Sequence, residues 1–160
     1  MIIVEGMDNT GKTTLIEALA KHFNLPTVKS YRPFTRENIY SLHSWISAAP
    51  QTVITDRHPS ISDLVYGPII RGSTPSSLKV AKSCRMNNYL IFCRPSTGNV
   101  FGTLGDRNQM SGVRENQEHL LEAYDQLMKN LEPNFLFDYT DPSHLPKLIK
   151  DLTHELCEID

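Results

Sequence analysis

The stretch EGMDNTGKTTLIEALAKHF, Glu5 to Phe23, follows the short apolar run Ile2–Val4 and ends in a segment with helical spacing. Within it, Gly6-Met7-Asp8-Asn9-Thr10-Gly11-Lys12-Thr13 matches the phosphate-loop pattern G-x-x-x-x-G-K-[ST] without a mismatch. The context is the one the chemistry needs, because the loop leaves a strand and enters a helix. Glycines let the backbone curl so that successive N–H groups point inward, and the helix N-terminus adds partial positive charge. Gly6, Asn9, Thr10, Gly11 and Thr14 belong to this cradle, Lys12 reaches the β and γ phosphates of a nucleotide, and the Thr13 hydroxyl coordinates Mg²⁺. The expected cofactors are therefore ATP and Mg²⁺.

Outward from the loop, apolar runs of strand length alternate with helical stripes. The strand candidates are Ile2–Glu5, Thr27–Tyr31, Thr52–Asp56, Tyr89–Cys93 and Asn134–Tyr139. Leu15, Ile16, Leu19, Ala20 and Phe23 form one helical stripe; Leu120, Leu121, Tyr124, Leu127, Met128 and Leu131 a second; Leu145, Leu148, Ile149, Leu152 and Leu156 a third. This alternation predicts an α/β domain of three layers over residues 1–160, a parallel sheet flanked by helices, and the expected sheet has five strands in the order 2-3-1-4-5. Residues 94–112, with four glycines and a proline, have no apolar period and are expected to form a mobile lid. Gly67–Ser77 reads as a shorter turn-rich link between two helices.

In Thr52-Val53-Ile54-Thr55-Asp56-Arg57-His58 a strand ends in Asp-Arg at the carboxyl edge of the sheet, where open α/β folds bind ligands. There Asp56 is placed to hold Mg²⁺ through water and Arg57 to grip a second phosphate group. A solvated salt bridge is the alternative for each.

Composition narrows the function classes. The 160 residues are 39% hydrophobic and 21% charged, ordinary for a globular chain, and the net charge of −2 gives no general attraction for duplex nucleic acid. No apolar run has the roughly twenty residues a membrane span needs, and no signal-peptide pattern opens the chain, so no membrane partner is expected and the reading is cytoplasmic. Cys84, Cys93 and Cys157 are odd in number and lack a Cys-x-x-Cys pair, which points to free thiols that pack as small hydrophobes.

EGMDNTGKTT followed by DRH, with SYRPF between, resembles thymidylate kinase and, more broadly, the deoxynucleoside and deoxynucleotide kinases. The likeness is close over Glu5–Thr14, fair over Asp56–Tyr66 and architectural elsewhere. The resemblance implies that Asp8 lies near the sugar 3′-hydroxyl of an acceptor nucleotide, that Arg57 binds the acceptor phosphate and that Asp56 stands near the metal. It implies an acceptor contact from Arg32, base stacking by Phe34, and substrate contacts from Asp63 and Tyr66. By analogy of fold, Thr140 and Asp141 lie where the donor adenine rests. Where the eukaryotic-type loop has an arginine after the aspartate, this chain has Asn9, which supplies no charge. Relatives without that arginine place one in the lid, which directs attention to Arg107 and Arg114, with Arg94 at the lid's base.

The expected activity is thus ATP- and Mg²⁺-dependent phosphoryl transfer to a small-molecule nucleotide acceptor, a deoxynucleoside monophosphate, with dTMP first. The family also suggests a homodimer. A deoxynucleoside kinase, with Asp56 as base toward a hydroxyl, and a kinase of a modified base are the enzyme alternatives. A nucleotide-binding switch is the alternative of another class. The guanine-reading Asn-Lys-x-Asp of such switches is absent, and the only Asp-x-x-Gly, Asp8–Gly11, is the phosphate loop itself.

Overall fold

A computed structural model describes residues 1–29, 37, 52–96 and 111–157. In chain order these form β1 (Ile2–Glu5), α1 (Lys12–Phe23), β2 (Thr27–Lys29), β3 (Ile54–Asp56), α2 (Pro59–Tyr66), a π-helical turn (Gly67–Arg71), α3 (Leu78–Met86), β4 (Tyr89–Cys93), α4 (Gln117–Leu131), β5 (Phe135–Phe137) and α5 (His144–Cys157). The five strands make one parallel sheet in the order β2-β3-β1-β4-β5. The order and the α/β layering are those the sequence predicts, and every strand lies within its expected run.

Strand alternation builds the layers. Ile2 and Val4 of β1, Ile54 of β3 and Ile91 and Cys93 of β4 face Leu15, Ile16 and Leu19 of α1 and Leu148 and Leu152 of α5. Ile3, Leu90 and Phe92 face the other way, onto Ile61 and Val65 of α2, Ala81 of α3 and Leu120, Tyr124 and Leu127 of α4. All four residues of β1 are buried, as a central parallel strand covered on both faces must be. The period of two also places Glu5 on the α2/α4 face with Ile3, and Asp56 on the α1 face with Ile54. In-register pairing of Val4 with Asp56, Lys29 with Asp56, Glu5 with Phe92 and Cys93 with Phe137 brings the carboxyl ends of all five strands to one edge.

The Gly67–Ser77 link is more regular than its turn residues suggest. Pro68 has no N–H to continue the helical ladder, and the chain widens to a π turn in which Gly72 N–H donates to Gly67 O. The buried Asp63 carboxylate stabilises this turn by accepting from Arg71, Thr74 Oγ1 and Ser76 N. Of residues 94–112, Arg94–Ser96 and Ser111–Gly112 are described, so the lid expectation for residues 97–110 lies outside the described residues. Pro95 is buried, and Arg94 forms a two-pronged ion pair with Asp125 of α4 at 2.9 and 3.0 Å. Among the described residues no helix is long and apolar enough to cross a membrane.

Leu120, fully buried between α4 and the sheet, carries the packing of that layer, whereas Leu136 is 63% exposed on the edge strand. Leu120→Ala is expected to lower the unfolding free energy by about 2–5 kcal/mol. Leu136→Ala should change it by no more than about 0.5 kcal/mol. Urea titration of both variants at 25 °C checks the pair.

Candidate functional site

The phosphate loop closes tightly on the sheet. Gly6 has φ 146°, and a Cβ there would lie 2.7 Å from the Cys93 carbonyl oxygen, so only glycine lets β1 turn out beside β4. Gly11 has φ 83°, and its missing Cβ would meet the Tyr139 ring at 3.0 Å, which presses the β5–α5 loop against the entry to α1. Asn9 takes a left-handed φ of 63°, a conformation asparagine tolerates better than most residues. Thr10 Oγ1 donates to Met7 O at 2.8 Å and fixes the curl from within. Gly11, the N-cap residue, offers α1 no capping side chain and the first turn holds no acidic residue, which leaves the first amides of the helix to an anion.

Lys12 folds back over this loop and donates to Met7 O. Burial, reinforced by repulsion from Arg57 and only partly offset by Asp8, Cys93 and Asp56, lowers its pKa to about 8. Cys93 lies beneath the loop, and burial pushes its thiol up to about 12, the behaviour of a packing residue.

The second cation comes from the turn after β3. Arg57 has φ 67°, left-handed and uncommon for a non-glycine residue, while its N–H still donates to Val4 O at 2.9 Å. Its Nη2 donates to Asp8 Oδ1 at 2.6 Å and to the Tyr66 hydroxyl at 2.8 Å, with Gly6 O at 3.4 Å, and the guanidinium lies 4.8 Å from the Tyr66 ring centre. Burial opposes the charge, but Tyr66, Tyr124, Asp8 and Glu5 outweigh it and raise the Arg57 pKa well above its usual value. Arg57 therefore stays charged, and its buried Nε has no hydrogen-bond partner among the described residues. Asp56 is buried beside it on the α1 face, within electrostatic reach of Lys12.

Lys12, Asp8, Asp56, Arg57 and Tyr66 are thus gathered at one mouth with Gly6–Thr14. Asp63 is not, because its carboxylate is committed to the π turn. Thr140 and Asp141 flank the loop by way of Tyr139. Their polar atoms are engaged locally, Thr140 with Asp138 and Asp141 with Ser143 N and His144. Arg114 is exposed just before α4. Arg32, Phe34 and Arg107 lie outside the described residues.

Sequence reasoning missed three residues. Glu5, fully buried, accepts from His58 N at 2.7 Å, from Ser62 Oγ at 2.9 and 3.1 Å, and from the Tyr124 hydroxyl at 3.1 Å. Burial raises its pKa, against the pull of these donors and of Arg57. Tyr124, on α4, supplies that hydroxyl. Asp138 ties two segments together, accepting from Ser96 N and Thr140 N at 2.8 Å each. The signals were a glutamate closing a strand otherwise made of apolar residues and an aspartate ending an apolar run; Tyr124 gave none beyond its core position.

These residues fit a nucleotide phosphate tail with Mg²⁺. Side chains are excluded where the backbone must approach closely, at Gly6 and Gly11, and the buried Asn9 Nδ2 has no hydrogen-bond partner among the described residues. The Thr13 hydroxyl and the Asp56 carboxylate are hard oxygen donors of the kind Mg²⁺ takes together with phosphate oxygens.

Known structures share this fold. The YorR protein of Bacillus subtilis, solved in complex with phosphorylated GDP, has a TM-score of 0.73 at 19% identity, over 97% of this chain and 94% of that one. Shikimate kinase from Acinetobacter baumannii, in complex with shikimate, has a TM-score of 0.57 at 12% identity, over 99% and 93%. Shikimate kinase from Bacteroides thetaiotaomicron has a TM-score of 0.55 at 14% identity, over 97% of each chain. No protein-family model and no curated protein matches the sequence. The chain therefore has the P-loop kinase fold, and likeness at these identities speaks to fold.

The depressed Lys12 pKa gives a measurable pH signature. A bound phosphate favours the charged amine, so binding takes up a proton once the pH passes about 8. ATP affinity is expected to be flat below that pH and to fall above it by up to about tenfold per pH unit. In the free protein the sign is opposite: between pH about 8 and the ordinary lysine value of 10.5 the unfolded chain holds the extra proton, so this group's contribution to stability rises with pH. Calorimetric titration of ATP in two buffers of different ionisation enthalpy reads the proton uptake directly.

Proposed function

We propose that this chain is a P-loop kinase that transfers the γ-phosphoryl group of ATP to a deoxynucleoside monophosphate, with dTMP as the first acceptor to test. The observation that carries the reading is the pair of buried cations at one mouth. Lys12 serves the phosphate loop, and Arg57 stands across from it, aimed by a left-handed turn and held by Asp8. A single phosphate tail needs only the first of these. A second phosphate brought in line with it accounts for the other.

In this reading the loop amides and Lys12 bind and orient the β and γ phosphates of the donor. Arg57 holds the acceptor phosphate through its Nη and Nε groups, and Asp8 fixes the guanidinium plane while its second oxygen meets the acceptor's sugar hydroxyl. Thr13 and Asp56 hold Mg²⁺, which when bound neutralises phosphate charge. A monophosphate oxygen is already ionised, so no strong base is required, and the protein contributes positioning and charge stabilisation. Arg107 and Arg114 are proposed to add positive charge over the transferred group, in place of the arginine absent at Asn9. Arg32 and Phe34 are proposed to contact the acceptor base.

The nucleotide bound by YorR supports nucleotide chemistry on this fold and brings guanine nucleotides into the test. A hydroxyl acceptor is the second reading. Asp56, buried at the end of β3, is the candidate base for that reaction.

Incubation with ATP, Mg²⁺ and each of the eight common nucleoside monophosphates, with thymidine and deoxyguanosine alongside, is expected to yield a diphosphate from at least one deoxynucleoside monophosphate. Lys12→Ala should lower kcat by about 100- to 1,000-fold. Arg57→Ala should raise the acceptor KM by about 30- to 100-fold and leave the ATP KM nearly unchanged. Phosphorylation of a nucleoside with no monophosphate accepted would replace this reading with the second.

A further inference from the structure

Gly11 holds a left-handed turn at the point where the phosphate loop becomes a helix, and its own chemistry does not keep it there. Its φ of 83° and ψ of 8° lie in a region that glycine enters and leaves freely, and no side chain caps the helix that follows. Within the loop, the bond from Thr10 Oγ1 to Met7 O fixes the curl only as far as Thr10. The further restraint comes from another element. A Cβ at Gly11 would lie 3.0 Å from both Cβ and Cδ1 of Tyr139 and 3.2 Å from Cγ, so the Tyr139 side chain lies directly against the turn. That side chain is 40% exposed and belongs to neither core layer, so core packing is not what keeps it in place.

A clasp in the β5–α5 loop does. Asp138, the residue before Tyr139, is buried and accepts from Ser96 N, Thr140 N and Thr140 Oγ1. Its own N–H donates to His144 Nδ1 at 3.1 Å. Asp141 N donates to Asp138 O at 3.3 Å, and His144 N donates to Asp141 O at 3.1 Å. The backbone on both sides of Tyr139 is thereby tied to the segment after β4 and to the first residue of α5.

We propose that Tyr139 is a positioning residue for the phosphate loop: held by Asp138 and His144, its ring braces the Gly11 turn, so that the amides entering α1 are set for the donor phosphates before these arrive. A ligand that must itself order one residue's backbone loses about tenfold in affinity, and a brace made in the free protein removes that loss. The ring then serves the phosphates and not the base, although Thr140 and Asp141 beside it are the residues expected near the donor adenine.

The inference rests on the reading of Gly6–Thr14 as the phosphate site, and inorganic tripolyphosphate tests it with no base or sugar present. Tripolyphosphate and ATP, each with Mg²⁺, would be titrated calorimetrically into the wild type, Tyr139→Ala, Tyr139→Phe, His144→Ala and Lys12→Ala. Leu136→Ala, on the exposed side of β5, is the control. The ¹⁵N order parameters of Gly11, Lys12 and Thr13 would be recorded on the free proteins.

Tyr139→Ala and His144→Ala are expected to bind both ligands about tenfold more weakly, with lowered order parameters at Gly11–Thr13. Tyr139→Phe keeps the ring and is expected to match the wild type, as is Leu136→Ala. Unchanged tripolyphosphate affinity in Tyr139→Ala overturns the inference, and a loss confined to ATP does so by assigning the ring to the rest of the nucleotide. Weakened binding with unchanged order parameters overturns it as well. If Lys12→Ala binds tripolyphosphate as the wild type does, the phosphate-site reading fails. The order parameters of Tyr139→Ala then decide the brace alone: lowered values support it and unchanged values overturn it.

Discussion

Two positive charges sit buried at one edge of a parallel sheet, and the rest of the molecule is arranged around that repulsion. Burial, with repulsion from Arg57 added to it, lowers the Lys12 pKa to about 8, while the arginine remains charged. Asp8 and Asp56 offset part of the excess, but charge out of water is costly unless it is paired and hydrogen-bonded. A bound phosphate would give both cations a further anionic partner.

The fold provides this arrangement through ordinary strand geometry. Alternation along β1 turns Ile2 and Val4 toward α1 and α5 and turns Ile3 and Glu5 toward α2 and α4. The phosphate loop therefore leaves a strand whose last side chain already reaches back into the opposite layer. Gly6 lets the chain exit against the Cys93 carbonyl, and Gly11 lets Tyr139 close on the helix entry. Asp138 joins the segment after β4 to the segment after β5. Each contact draws a strand's carboxyl end toward the same mouth, in keeping with the location of ligand sites in open α/β sheets.

The phosphate loop and the strands were legible because they are local: a fixed motif in one case, apolar runs of strand length in the other. Arg57 was legible as a cation at a strand end, though not its left-handed backbone or its grip on Asp8, 49 residues away. Glu5 and Tyr124 were not legible as partners. A tyrosine on the core face of a helix gives the same apolar period whether or not its hydroxyl matters, and its partner lies 119 residues distant. Asp63 followed Asp56 in a stretch where the family places substrate contacts, yet Pro68 opens a π turn that draws Arg71 onto its carboxylate. That engagement depends on the local backbone, which proximity along the chain does not reveal.

A bisubstrate compound, adenosine and thymidine joined through five phosphates, tests the two-cation mouth most directly. The account predicts one molecule bound per chain, far more tightly than ATP alone, with the gain lost in Lys12→Ala and in Arg57→Ala alike. Affinity no greater than that of ATP, and indifferent to Arg57, would contradict it.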